Sequence, residues 1–211
     1  KGIIPAGMEI MDKALTKATN DFSKAGYPVD AEAMMIVELD GTDSEVSELI
    51  KRVEEIAKKN KCSSVKRSKS DEERLKFWTG RKAAFPACAE LAPDYMCMDG
   101  SIPRGKLAEV LKEIQKLSVK YNLPVANAFH AGDGNLHPLI MFDANDPEQL
   151  KRTEEFGAEI LKYCVKVGGA LTGEHGVGIE KRELMCEAFN NTDIKQQLNI
   201  KIALDPNSLL N

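Results

Sequence analysis

An Asp-Gly dipeptide between two apolar runs constrains the fold of this 211-residue chain more than any other feature. Val125–His130 and His137–Phe142 have the length and composition of β-strands, and Asp133-Gly134 lies between them. Asp-Gly is among the strongest signals for a two-residue hairpin turn, so we expect the two strands to pair antiparallel. Such a turn would place His130 opposite His137, with Cβ atoms about 5 Å apart on one sheet face.

Amphipathic stretches alternate with short apolar runs along the rest of the chain. Further strands are predicted at Met34–Leu39, Ser63–Lys69 and Tyr95–Ser101. Apolar spacing, capping boxes and helix-starting prolines predict helices over 6–25, behind Thr42, from Ser70 toward Phe85, from Pro103, from Asp146 to Gly168, and over about 179–190 and 192–203. Because the 130–137 connection is tight, we predict an α+β fold whose helix-crossed sheet is largely antiparallel and of the split βαβ kind.

Charge and composition restrict the possible partners and the domain count. The formal net charge of −4 gives no electrostatic reason to bind nucleic acid. Five cysteines without CxxC spacing predict reduced thiols in a cytoplasmic protein. The sequence contains no run of about 18 apolar residues, so no transmembrane segment is predicted. The length suits one domain over 1–211, with 179–211 as its helical tail, and a start at Lys1 suggests a fragment or a processed chain.

The only three histidines all lie in or beside glycine-rich loops. His130 and His137 flank the predicted turn, and His175 follows Glu174 in Thr172–Gly178. Neighbours in an extended segment point in opposite directions, so one of Glu174 and His175 can complete a site while the other faces elsewhere. Two histidines and a carboxylate are a common catalytic metal set. Ordinary hydrogen-bonded histidines are the alternative, and Asp133 competes as a ligand.

Arg81 is a second candidate, because aromatic residues surround it on a predicted helix. An arginine in such a setting can hold a carboxylate through two parallel hydrogen bonds. The alternative is a surface arginine whose stem packs on its neighbours.

Several segments together resemble the C-terminal domain of FAD-linked oxidases, which include glycolate oxidase subunits, D-lactate dehydrogenases and D-2-hydroxyglutarate dehydrogenases. His130–His137, Gly173–Gly178 and Asp205–Asn211 carry the general resemblance, which covers nearly the whole chain. Arg81–Pro86 and Pro93–Pro103 are most similar to the large subunit of glycolate oxidases. The resemblance implies a ferredoxin-like α+β fold and a flavin-dependent oxidation of a small 2-hydroxy acid.

The resemblance also implies roles for single residues. The ligands of a divalent metal (Zn, Mn or Fe) would be His130, His137 and Glu174. His175 would be the general base near the flavin, and Arg81 would hold the substrate carboxylate.

FAD itself would be bound mainly by an N-terminal flavin domain that this chain lacks, and Asn211 lies where the family tail approaches the flavin. We therefore expect the chain alone to have no redox activity, since the cofactor carries the hydride chemistry.

Substrate and partners follow from the same resemblance. Dicarboxylate-specific members carry a lysine near Cys97, and this chain has none, which favours glycolate or D-lactate. A second flavin-type subunit and an iron–sulfur subunit are implied, with association at the inner membrane face through them. The alternatives are a zinc hydrolase, although no HExxH helix is present, and a non-catalytic module that contacts partner subunits.

Overall fold

The computed structural model describes residues 2–210, and an antiparallel sheet forms its centre. The strands are β1 (Gly7–Asp12), β2 (Ala33–Glu38), β3 (Asp94–Cys97), β4 (Gly100–Ser101), β5 (Val125–His130), β6 (Asn135–Leu136) and β7 (Pro138–Phe142). The sheet order is β2-β1-β5-β6-β4, with β7 pairing both β5 and β3. The pairing of β3 with β7 has the same register as the pairing of β4 with β6. Strands β3 and β4 therefore form one long strand with a short interruption, and so do β6 and β7.

Eight α-helices lie within the described residues. They are α1 (Lys13–Ser23), α2 (Asp43–Lys59), α3 (Asp71–Lys82), α4 (Ala84–Ala87), α5 (Leu107–Tyr121), α6 (Pro147–Lys166), α7 (Met185–Ala188) and α8 (Asn191–Leu204). The predicted signals start several of them: Thr42 and Glu45 form a capping box at α2, and Ser70 and Asp146 cap α3 and α6. In 2–210, no helix is both long enough and apolar enough to cross a membrane.

The sheet topology confirms the predicted α+β, ferredoxin-like fold. The chain runs from β3 and β4 through α5 to β5, and the strand β6–β7 lies between these two parallel segments. From β7 it runs through α6 to Ala170, which bridges Ser101 on the far side of β4. These two split βαβ units interlock as in ferredoxin-like folds, and β1 and β2 extend the sheet beyond β5.

The two faces of the sheet carry different cores. Helices α5 and α6 cover one face through a large cluster built around Phe129, Leu136, Ile140, Phe156 and Ile160. Helices α1 and α4 cover the other face through a smaller cluster: Met11, Leu15, Ala84, Ala126, Ala128, Leu139 and Met141 are among its members. Since side chains alternate along a strand, His130 and His137 lie on the face of the smaller cluster.

Three predicted elements differ from the structure. The helix expected over 6–25 starts only at Lys13, because residues 7–12 form β1 between β2 and β5. Asp12 caps that helix by accepting a hydrogen bond from the Leu15 amide at 3.0 Å. The strand expected at Ser63–Lys69 does not form, and Val65 there is exposed. In the tail, the expected helix over 179–190 is reduced to a 3-10 turn, Arg182–Leu184, followed by the short α7.

Candidate metal and substrate site

The two hairpin histidines face the same side, although the predicted turn is wrong in detail. The loop has four residues, 131–134, so His130 pairs with Asn135, and His137 lies opposite Ala128. The amides of Asp133 and Gly134 both donate to His130 O, at 3.1 and 3.0 Å, and Gly134 adopts a φ of 77°. A register shift of two residues preserves the face of each side chain. The imidazole centroids are therefore 5.1 Å apart, with nearly perpendicular rings.

Glu174 brings a carboxylate to this histidine pair. Its Oε1 lies 3.1 Å from His137 Nε2 and 3.5 Å from His130 Nε2. Ligand atoms around a tetrahedral ion with bonds of about 2.1 Å are about 3.4 Å apart, so these separations suit a shared metal ion. The three residues have ligand atoms that all lie within 4.8 Å of one another.

His137 has the surroundings of a metal ligand rather than those of a core histidine. Its side chain is 2% exposed, and among residues 2–210 neither ring nitrogen has a hydrogen bond of good geometry, although Glu174 Oε1 lies 3.1 Å from Nε2. Such unpaired buried nitrogens are costly unless another group binds them. Burial, and next the nearby His130, lower the pKa of His137 to about 4, which keeps the ring neutral and able to donate its lone pair. The residues therefore fit a divalent metal.

Glu9 orients His130 and was not predicted from the sequence. His130 Nδ1 lies 2.8 Å from Glu9 Oε1. A carboxylate can only accept, so in a neutral ring the shorter contact to Glu9 places the proton on Nδ1, and Nε2 would be free to bind a metal ion shared with Glu174. This carboxylate–histidine arrangement is common around protein metal ions.

Arg81 lies behind the same carboxylate. Its side chain is 9% exposed, its Nε donates to Glu9 Oε2 at 3.1 Å, and its Nη2 contacts that oxygen at 2.8 Å. Nη2 is also buried, and within the described part of the chain this contact is not a hydrogen bond of good geometry. Arg81 is thus buried within the site rather than on the surface, and it joins the histidines through Glu9.

His175 lies beside the site in a more open position. Its ring stacks on His137 with centroids 5.0 Å apart, and its side chain is 48% exposed. The segment 173–175 is bent rather than extended, so Glu174 and His175 both approach His137 instead of pointing in opposite directions. Asp99, His137 and His175 form a second group with ligand atoms close together.

Asp99 binds the backbone of residues 173–175, and Lys181 binds Asp99; neither residue was predicted from the sequence. The buried Asp99 carboxylate accepts hydrogen bonds from the backbone amides of residues 173–175, and Lys181 Nζ donates to it at 3.1 Å. Asp133 lies in the hairpin loop and is not part of either group of clustered ligand atoms in 2–210. Asn211, predicted near the flavin, lies outside the described residues.

Comparison with protein families gives a match over residues 1–211, described as FAD linked oxidases, C-terminal domain. Among curated proteins, the chain is 52% identical over 210 residues to glycolate oxidase subunit GlcD of Escherichia coli, which matches 100% of this chain and 42% of that protein. The subunit of the same name from Bacillus subtilis is 34% identical, covering 99% of this chain and 44% of the relative. D-lactate dehydrogenase (cytochrome), mitochondrial, of Arabidopsis thaliana is 30% identical, covering 100% and 37%. The chain therefore spans less than half the length of these relatives.

Solved structures share the fold at low sequence identity. A 4-ethylphenol oxidase from Gulosibacter chungangensis in complex with isoeugenol superposes with a TM-score of 0.66 at 14% identity, covering 99% of this chain and 47% of that one. A p-cresol methylhydroxylase with substrate bound gives a TM-score of 0.65 at 16% identity, covering 97% and 45%. At these identities the likeness concerns the fold alone.

Proposed function

This chain belongs to the family of FAD linked oxidases, C-terminal domain, and we propose that it forms the metal- and substrate-binding part of a flavin-dependent enzyme that oxidises glycolate or D-lactate to the 2-oxo acid. One observation carries the proposal: His130, His137 and Glu174 bring their ligand atoms together beside the half-exposed ring of His175. The names of the relatives, glycolate oxidase subunits and a D-lactate dehydrogenase, support this class of substrate.

The metal ligands in this proposal are His130 Nε2, His137 Nε2 and the Glu174 carboxylate. A bound divalent ion supplies Lewis acidity toward the substrate's oxygen atoms. The neutral state of His137 and the Glu9-oriented tautomer of His130 both favour metal binding, because imidazole binds a metal through an unprotonated nitrogen. Zn, Mn and Fe all accept such a set of nitrogen and oxygen ligands.

The proton and the substrate carboxylate fall to two other residues. His175 would accept the proton of the 2-hydroxyl group, since its ring lies against His137 and half of its side chain is open to solvent. Arg81 would hold the substrate carboxylate, and its burial beside His130, to which Glu9 links it, supports this role. FAD, when bound, supplies the hydride acceptor, and we propose that the part of the enzyme outside this chain binds most of it.

The surroundings of the site favour a small monocarboxylate. Burial raises the pKa of the Cys97 thiol to about 12, so this side chain near the site is uncharged at neutral pH. Lys181 is a nearby cation, but the Asp99 carboxylate pairs with it. Neither residue therefore offers an unpaired positive charge to a second substrate carboxylate.

The assembly in this proposal contains further subunits. The word subunit in the names of two relatives supports it. We propose that a second flavin-type subunit and an iron–sulfur subunit receive the electrons, and that the enzyme is cytoplasmic and reaches the inner membrane face through them.

A dye-linked assay of the whole enzyme tests the proposed function. Glycolate or D-lactate should reduce the dye, whereas L-lactate and 2-hydroxyglutarate should be poor substrates. The proposal is wrong if neither glycolate nor D-lactate is oxidised, or if 2-hydroxyglutarate is the best substrate.

A further inference from the structure

Asp99 is a buried carboxylate to which the proposed reaction assigns no chemical step. It lies between β3 and β4 and is 0% exposed. Its Oδ2 accepts hydrogen bonds from Thr172 Oγ1 at 2.6 Å, from the Gly173 amide at 2.9 Å and from the His175 amide at 3.0 Å. Its Oδ1 accepts from the Glu174 amide at 3.0 Å. Four consecutive residues thus bind one carboxylate that is more than 70 positions away in the chain.

Lys181 closes the other end of the same segment. It is 2% exposed, and its Nζ donates to the Asp99 carbonyl oxygen at 2.6 Å and to Oδ2 at 3.1 Å. The segment 172–181 therefore begins and ends on Asp99. The Lys181 ammonium group also compensates the charge of the Asp99 carboxylate, which would otherwise be costly to bury.

The hydrogen bonds have a geometric consequence for the site. Oδ1 and Oδ2 bind the amides on both sides of the Glu174 Cα and so fix the direction in which its side chain leaves the backbone. A carboxylate offers about four acceptor positions, whereas an asparagine of the same size offers two and presents two donors. Burial by itself raises the pKa of Asp99, but the hydrogen bonds from Thr172 and the three amides outweigh it and hold the pKa well below its ordinary value.

We propose that Asp99, with Lys181, is a positioning residue that fixes the backbone of 172–175 so that Glu174 and His175 face His137. This inference rests on the proposed function, in which Glu174 is a metal ligand and His175 is the base. Asp99 acts through these two residues and does not itself touch the substrate.

The first test is Asp99→Asn, with the Mn²⁺ affinity of the chain measured by calorimetry. An amide places a donor against at least one N–H or O–H group of the segment, so we expect the affinity to fall by about 10–100-fold, as for other residues that orient metal ligands. Asp12→Asn is the matched control: Asp12 is partly buried and also accepts hydrogen bonds from a backbone amide and from Asn127, but it does not bind 172–175. The Mn²⁺ affinity of Asp12→Asn should stay within about twofold of that of the unaltered chain.

A double variant separates positioning from mere stabilisation. Asp99→Asn/Lys181→Met removes both charges, and removing both partners of a buried ion pair often restores stability. We expect the midpoint of urea unfolding to recover relative to Asp99→Asn while the Mn²⁺ affinity stays low. Affinity that recovers together with stability would overturn the proposal, and so would full affinity in Asp99→Asn alone.

The remaining outcomes are also decisive. If Asp99→Asn does not fold, Thr172→Val removes one hydrogen bond at nearly constant volume and should lower the affinity by about tenfold; unchanged affinity would contradict the proposal. If the unaltered chain takes up no Mn²⁺, the metal part of the proposed function fails. The amide exchange rates of residues 173–175 then decide: they should rise in Asp99→Asn and not in Asp12→Asn, and equal rates in all three proteins would reject positioning.

Discussion

At the scale of single residues, the two hairpin histidines differ in what surrounds them. His137 is buried and, within residues 2–210, has no hydrogen bond of good geometry at either ring nitrogen, whereas His130 is half-buried and hydrogen-bonded to Glu9. Their Nε2 atoms nevertheless converge on one oxygen of Glu174. Glu174, His175 and Glu9, which contact these histidines, therefore have separate proposed roles that single substitutions can test.

The contrast between Glu174 and His175 tests the assignment of ligand and base. In the whole enzyme, Glu174→Gln should weaken metal binding, because a neutral amide replaces an anionic ligand. His175→Ala should keep the metal and lower the turnover rate by about 10²–10⁴, the usual cost of losing a general base. Metal content and turnover of the two variants, measured side by side, check this.

The adjacency of the two residues controls for damage to the local backbone. Equal loss of metal in both variants would mean that His175 is a ligand, as its place in the second group with Asp99 and His137 allows. Full turnover in His175→Ala would mean that the base is another group.

Glu9→Gln tests whether this carboxylate orients His130. Gln can donate from its amide group, so it no longer enforces the His130 tautomer that leaves Nε2 unprotonated. The metal affinity should fall by about 10–100-fold, measured by titration of the chain with Mn²⁺. Glu38→Gln is the control, since Glu38 also lies on the sheet and also bonds an arginine, Arg74, away from the histidines. A loss of affinity as large in the control as in Glu9→Gln would contradict the role.

At the scale of elements, the 172–175 segment leaves no room for a side chain at Gly173. A Cβ there would overlap Asn135 Oδ1 and would lie 2.7 Å from Asp99 Oδ1. Gly173→Ala should therefore lower the free energy of unfolding by about 1–3 kcal/mol, the usual cost of overpacking. Gly105→Ala, whose added Cβ would meet no atom within 4 Å, should stay within about 0.5 kcal/mol. Urea unfolding of both variants measures the difference, and equal stabilities would show that the segment yields easily.

Local signals in the sequence predicted most of the elements. The hairpin strands, the capped helices α2, α3 and α6, and the split βαβ arrangement all follow from turn, capping and apolar patterns. Strand β1 was missed because Met8 and Met11 fit a helical spacing, and pairing with β2 and β5 decides the conformation instead. The hairpin loop was two residues longer than its Asp-Gly signal implied, because the Asp133 and Gly134 amides both bind His130 O.

The site was predicted only where neighbouring sequence carries a motif. His130, His137 and Glu174 stand in glycine-rich segments and come together as expected. Glu9, Asp99 and Lys181 have no such motif, because their partners are brought near by sheet pairing: Glu9 meets His130 through the pairing of β1 with β5. Contacts over more than 70 positions depend on the assembled fold, and no local pattern encodes them.

At the scale of the whole molecule, the chain is one part of a larger catalytic unit in our account. Its ferredoxin-like domain presents the histidine site at the edge of the smaller core, with His175 half-exposed. The relatives are more than twice as long, so the hydride acceptor and the closing wall of the substrate pocket would come from outside the chain.

Reduction of the flavin by substrate, followed anaerobically in the whole enzyme, tests the central claim most directly. Glycolate or D-lactate should bleach the flavin absorbance, and Glu174→Gln or removal of the metal with a chelator should slow this step by at least about 100-fold. Restoring the metal should restore the rate in the unaltered enzyme and not in the variant. Bleaching that is equally fast in Glu174→Gln and after chelation, or no bleaching by either acid, would contradict the account.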